Sequence, residues 1–262
     1  MKRPVSGFCP WVLSCALCAV HSAAAVQVTL EVDSVETAGV HAYSSATSAS
    51  GVPYWSDQDV PHTGADYVVP AGKRLGALAD DGTFAGDSLT VEGTFWWYGG
   101  WGSTFNPGKP LEILPGGRFY SSSYHYTLKG DDWTISGTEG NPSNFQFANN
   151  TSGKNADIYL GQAFKSDGVA VFFAGSDASC TNAVRARLDG ADFSDFSGTM
   201  RFRNGVNVYS ASLAMPGTLD VEANILLDLS ATSGESSFGE LALRGGARLN
   251  LAQNNTHVIK VS

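Results

Sequence analysis

A short strand followed by glycine recurs along this chain at a nearly fixed interval. Leu89-Thr90-Val91-Glu92-Gly93, Leu111-Glu112-Ile113 with Gly116 close behind, and Trp133-Thr134-Ile135-Ser136-Gly137 begin 22 residues apart. Leu219-Asp220-Val221 and Leu241-Ala242-Leu243 are again separated by 22. A period in this range marks a stacked architecture, where each repeat buries its apolar face only against its neighbours. Twenty-two residues suit one three-sided coil with three short strands and three turns. The period therefore predicts an all-β, right-handed parallel β-helix of about eight coils.

Alternation of apolar and polar residues supports strands over helices. Val26, Val28, Leu30 and Val32 alternate with Gln27, Thr29 and Glu31. Val184, Ala186 and Leu188 alternate with Arg185 and Arg187, and Met200 and Phe202 with Arg201 and Arg203. Leu219, Val221, Ala223, Ile225, Leu227 and Leu229 hold every second position. A period of two places each set on one face of a sheet. The opposing signal is Asn204-Gly205, with Asp189-Gly190, because Asn-Gly between alternating strands favours antiparallel hairpins. An antiparallel β-sandwich or jelly roll is the alternative fold.

Residues 1–25 read as a targeting segment. Lys2 and Arg3 make a basic start, Phe8 to Val20 are largely apolar, and Ala23-Ala24-Ala25 offers a small-residue cleavage site. This is the layout of a secretory signal peptide. Its apolar run is shorter than the ~20 residues that a bilayer span needs. The mature chain is expected outside the cell or on its surface, without membrane insertion. Three of the four cysteines, Cys9, Cys15 and Cys18, fall in this segment, leaving Cys180 without an internal disulfide partner. Losing Lys2 and Arg3 from 16 basic residues, against 25 acidic ones, takes the formal net charge from −9 to −11. An acidic surface argues against nucleic acid as a partner. Residues 26–64 read as one strand and a Ser/Ala/Gly-rich lead-in, and 65–262 as the β-helix domain. Lys260-Val261-Ser262 reads as mid-strand, as in a fragment of a longer solenoid or a free one.

Several phrases carry a family resemblance. Asp192-Phe193-Ser194-Asp195-Phe196-Ser197-Gly198-Thr199-Met200-Arg201-Phe202 resembles the "strand, Phe-Ser-Gly, strand" phrase of autotransporter passenger-like secreted β-helix proteins, the pectin-lyase-like solenoids. Leu241-Ala242-Leu243-Arg244-Gly245-Gly246-Ala247-Arg248-Leu249-Asn250-Leu251 is similar to their "strand, Gly-Gly, small residue, strand" phrase. The resemblance covers roughly residues 65–262. It implies a structural or adhesive module at the cell surface, outer-membrane-associated if a translocator barrel belongs to it. Related β-helix polysaccharide lyases imply an enzymatic alternative, with clustered acids for calcium and a basic residue as general base. Asp80-Asp81, Asp131-Asp132 and Asp192 with Asp195 would be the acids, and Arg185, Arg187, Arg201 and Arg203 the candidate bases. No loop concentrates the six to eight oxygens calcium needs, so no metal, cofactor or catalytic residue is expected.

The candidate ligand is carbohydrate. Phe95-Trp96-Trp97-Tyr98-Gly99-Gly100-Trp101 is the densest aromatic cluster, and Tyr124 and Tyr126 flank His125 in a second. Aromatic faces stack on sugar rings when exposed. Trp96, Trp97, Tyr98, Trp101, Tyr124 and Tyr126 are therefore the candidate carbohydrate-binding residues, with extracellular polysaccharide, another copy, or more of the same solenoid as partner. Strand neighbours point opposite ways, so Trp96 and Trp97 cannot both face the core.

Overall fold

The computed structural model describes residues 25–34, 41–78, 82–121, 125–147, 156–175, 184–229, 234–251 and 257–261. Those residues form a parallel β-solenoid of about seven turns, without helices. Every strand pair is parallel. The sandwich alternative is thereby excluded.

Each turn passes through three strand positions. The first side stacks Arg74–Leu78, Thr94–Tyr98, Arg118–Ser121, Ser143–Phe147, Val169–Ala174 and Thr199–Arg203 in register, continuing through 218–221 and 240–243. The second side stacks 126–130, 156–162, Val184–Arg187, Val206–Tyr209, Leu226–Leu229 and Arg248–Leu251. The third begins with Val26–Thr29, Ala65–Val69, Ser88–Val91 and Leu111–Ile113. Tyr126–Ile135 and Ala156–Ser166 run from the second side into the third, which merges these sides into one 12-stranded sheet.

A glycine column explains the recurring phrase. Gly137, Gly168, Gly198, Gly217 and Gly239 sit where the third side turns into the first, and a Cβ at any of them would lie within 3.0 Å of neighbouring backbone. Only glycine lets the backbones of successive coils approach this closely. The interval itself is less regular than the 22-residue phrases suggest. Gly198 to Gly217 is 19 residues, whereas Gly137 to Gly168 is 31. Coil length varies; the corner residue does not.

Inside, Phe95, Phe119, Phe145, Phe172 and Phe202 occupy one inward register position on consecutive coils. Phe145 and Phe172 stack at 4.6 Å between centroids, and Phe172 and Phe202 at 4.7 Å. Parallel register brings identical positions together at ~4.8 Å per coil, which suits offset ring stacking. Trp133 and Phe164 enter the same core from the third side.

Two expectations need correction. The described residues of 26–64 pack onto the solenoid and are not a lead-in beside it. Val26–Thr29 pairs with Ala65–Val69, and Tyr43, Tyr54 and Trp55 are buried at 2% exposure or less. Trp55 Nε1 donates to Ala42 O at 2.7 Å, and Tyr43 stacks on Phe95 at 5.8 Å. Composition hid this because three aromatics suffice to anchor a Ser- and Ala-rich stretch. Second, Asn204 and Gly205 do adopt positive φ, 48° and 82°, but join the first side to the second instead of closing a hairpin. Their carbonyls accept from Ala174 N at 3.1 Å and Val184 N at 3.0 Å. The tight turn that favours hairpins serves here as a coil corner.

Candidate binding face

Alternation along Thr94–Tyr98 decides which aromatics meet solvent. Phe95 and Trp97 point inward and are fully buried, while Thr94, Trp96 and Tyr98 lie on the outer face, half-buried. Trp97 packs edge-on against Tyr126 at 5.1 Å and against Phe105 at 5.6 Å. Tyr126 is 1% exposed, and burial pushes its phenol well above the ordinary tyrosine range. Trp97 and Tyr126 are therefore core residues, and their assignment to carbohydrate binding is corrected.

Trp96 and Tyr98 share the outer face, their rings stacked at 4.4 Å with 22° between planes. Register adds Tyr120, which stands opposite Trp96 on the next coil with its ring 5.0 Å away. Sequence reasoning left Tyr120 out of the site. The signal was the coil step: Trp96 plus one coil lands on Tyr120. Beyond it, the outward column continues through Gln146, Phe173 and Arg203. Four inter-coil steps of ~4.8 Å make this row roughly 19 Å long.

The surroundings are basic. The Arg74 guanidinium lies over the Trp96 ring, 5.2 Å from its centroid, and Arg203 covers Phe173 at 5.5 Å. Arg74, Thr94, Trp96, Arg118, Tyr120 and Gln146 line an open groove of about 230 Å³. Burial pushes the Tyr98 and Tyr120 phenols above their ordinary value, and the positive charge of Arg74 pulls partly the other way. Both hydroxyls therefore stay protonated at neutral pH, able to donate and accept hydrogen bonds. Gln146 is held by a bond from Nε2 to Gly175 O at 2.7 Å.

Trp101 is elsewhere. It is 72% exposed, in the turn between the first and second sides, 6.3 Å from the His125 ring and edge-on to it. With His125, Thr127 and Tyr159 it lines a separate hollow. Tyr124, Asp80, Asp81 and Cys180 lie outside the described residues.

The four arginines do not form one row. Arg185 and Arg187 belong to the second side, where both grip Asp157, at 2.6 Å and 2.9 Å. His125 Nδ1 approaches the same carboxylate at 3.2 Å. Arg201 and Arg203 are on the first side, and Arg201 is bound by Asp220 and Glu139, each at 2.8 Å. Arg244 grips Asp220 as well, at 2.6 Å. Burial raises the Asp220 carboxyl, but bonds from Arg244 and Arg201 outweigh it and hold the group below its ordinary value. These carboxylates stitch neighbouring coils together. Asp132 pairs with Lys165, and Asp192 accepts from Ser194 N at 2.9 Å. Among the described residues, no group of three His, Cys, Asp or Glu is placed to hold a metal ion.

No known family model, curated protein or solved structure matches this chain. The site must be read from its own geometry.

Proposed function

We propose that this chain is an exported, non-catalytic adhesive module that holds carbohydrate along the outer face of its first side. The observation that carries this reading is the Trp96, Tyr98 and Tyr120 stack. These rings have no core to fill, and a linked row of outward aromatics beside polar groups is what sugar rings pack against. An extended row suits a polymer better than a free monosaccharide. Surface location draws support from the signal-like residues 1–25 and from the resemblance to autotransporter passenger-like β-helix proteins. The lyase alternative is weaker, since Arg185, Arg187 and Arg201 are each committed to carboxylates and poorly suited to act as bases.

A glycan array with purified protein tests the proposal. Binding is expected, and Trp96→Ala should reduce it at least tenfold, the scale of losing one aromatic contact, with an unchanged melting temperature. A blank array, or binding untouched by Trp96→Ala, rejects this face as the site. Release of unsaturated sugar products would replace adhesion with lyase activity.

A further inference from the structure

The first-side groove is charged in a way the rest of the molecule is not. The whole chain carries 25 acidic and 16 basic residues. Yet the two outward columns that run from Arg74 and Gly76 up to Arg201 and Arg203 hold four arginines and no Asp or Glu. Six coils contribute to them, so this is a sustained segregation of charge.

The arginines here also differ in what they hold. Arg185, Arg187, Arg201 and Arg244 all grip carboxylates of neighbouring coils. The side chains of Arg74, Arg118 and Arg203 form no ion pair with a carboxylate among the described residues, although the Arg74 backbone N–H donates to Asp33 Oδ1 at 3.0 Å. Arg74 and Arg203 lie instead against Trp96 and Phe173. The Arg203 Nε is buried with no hydrogen-bond acceptor. A guanidinium held over a ring makes no hydrogen bond to it and keeps its N–H groups for an anion, and a partly desolvated one gains most from finding it.

Register fixes the spacing. Arg74 and Arg118 stand in one column, one coil below and one coil above the level of Thr94 and Trp96. Their backbones are thus about 10 Å apart, with Thr94 between them and Trp96 in the neighbouring column. A sugar seated in the groove that they line with Trp96 and Tyr120 would meet both guanidiniums.

We propose that this groove selects anionic polysaccharide, a glycan bearing carboxylate or sulfate groups that pair with Arg74 and Arg118 while its rings stack on Trp96 and Tyr120. This rests on the carbohydrate reading above and narrows it to one ligand class. The aromatic row supplies affinity for sugar rings, and the flanking guanidiniums reject neutral chains by leaving their own charge unpaired.

The test titrates purified protein with polyuronate, sulfated and neutral oligosaccharides of equal length, and with a single-stranded oligonucleotide. One or both anionic glycans should bind at least tenfold more tightly than neutral ones, and raised salt should weaken them. Arg118→Gln, an exposed position, should lower anionic affinity roughly tenfold at unchanged melting temperature, the scale of one charged hydrogen bond. Which anionic arm binds identifies the acid group. Equal binding of neutral and anionic glycans, indifferent to Arg118→Gln, overturns this inference and leaves the carbohydrate reading standing. Binding to none of the glycans removes both. An oligonucleotide that binds as tightly as the best glycan also overturns the inference, since the groove would then be reading charge and stacking alone.

Discussion

Placing one methyl group at Gly198 should separate two coils. The Cβ of an alanine there would lie 2.7 Å from Asp167 C, 2.8 Å from Gly168 N and closer still to Gly168 O. All three are backbone atoms, so no side chain can swing aside. The same Gly168 carbonyl accepts the inter-coil bond from Thr199 N at 2.9 Å. Relieving the clash therefore lengthens that bond. Overpacking costs about 1–3 kcal/mol, and a lost hydrogen bond adds about 1 kcal/mol. We expect Gly198→Ala to cost about 3 kcal/mol, or roughly 6–12 °C in melting temperature for a chain of this size. Two other glycines separate the causes. Gly72 has open space around it but φ of +79°, so alanine there should cost about 1 kcal/mol through backbone strain alone. Gly140 has neither restriction and should tolerate alanine within about 0.5 kcal/mol. Thermal unfolding of the three variants, followed by circular dichroism, gives the ranking. If Gly198→Ala melts together with Gly140→Ala, the close-approach account of the glycine column is wrong.

Further substitutions and titrations probe the interior. Phe172→Ala removes a ring stacked between Phe145 and Phe202 and should cost about 3–5 kcal/mol in denaturant unfolding. Its outward neighbour Phe173→Ala should cost less than about 1 kcal/mol, and equal losses would contradict the inward ladder. Asp220→Asn should cost about 3 kcal/mol by leaving Arg201 and Arg244 without their shared carboxylate. Because Asp220 is held below its ordinary 3.8, its contribution is complete above that pH and fades as pH falls through the lower folded value. The wild-type advantage over Asp220→Asn should accordingly shrink in acid; an advantage that is constant down to pH 2 would refute the pairing. Burial pushes the Tyr67 phenol from 10.0 up to about 12. The folded state thus keeps this proton, and stability should fall as pH rises above 10 and through 12, less so in Tyr67→Phe. Phenolate absorbance that appears for every tyrosine together near pH 10 would contradict that.

What the sequence revealed follows from which interactions are local. The glycine corner is legible because the crowding acts at one residue per coil, and Gly93, Gly137 and Gly198 each follow a strand-like phrase. Corner positions along the coil are less so. The alternation from Leu219 to Leu229 reads as one strand, yet Ala223 and Asn224 form a turn between two sides, with Asn224 at φ 64°. A two-residue corner preserves the inside-outside phase, so period two passes through it unbroken. The aromatic site was half visible for the same reason. Alternation requires Trp96 and Trp97 to differ, but only the phase set by buried Phe95 tells which one faces out. Contacts between coils were legible where the step is 22, as for Leu89, Leu111 and Trp133 or Leu219 and Leu241, and hidden where coil length departs from it. Asp157 meets Arg185 and Arg187 across 28 and 30 residues, whereas a 22-residue step would have paired it with neither.

The two outer faces use the same side chain for different ends. On the second side, Asp157 sits 5% exposed and is enclosed by Arg185, Arg187 and His125. Such arginines hold coils together, and removing their carboxylate should unsettle the stack. On the first side, the Arg74, Arg118 and Arg203 side chains form no ion pair with a carboxylate among the described residues. Arg74 and Arg118 add self-repulsion along one column, and Arg74 covers a ring that the core does not need. The first-side arrangement does not help the chain fold, because a solenoid's stability comes from its inward columns and its inter-coil bonds. Outward positions are consequently open to other uses. A stretch where cations and aromatics both lack structural employment is where a ligand that satisfies both at once has the most to contribute, and an anionic sugar chain does so in a single row.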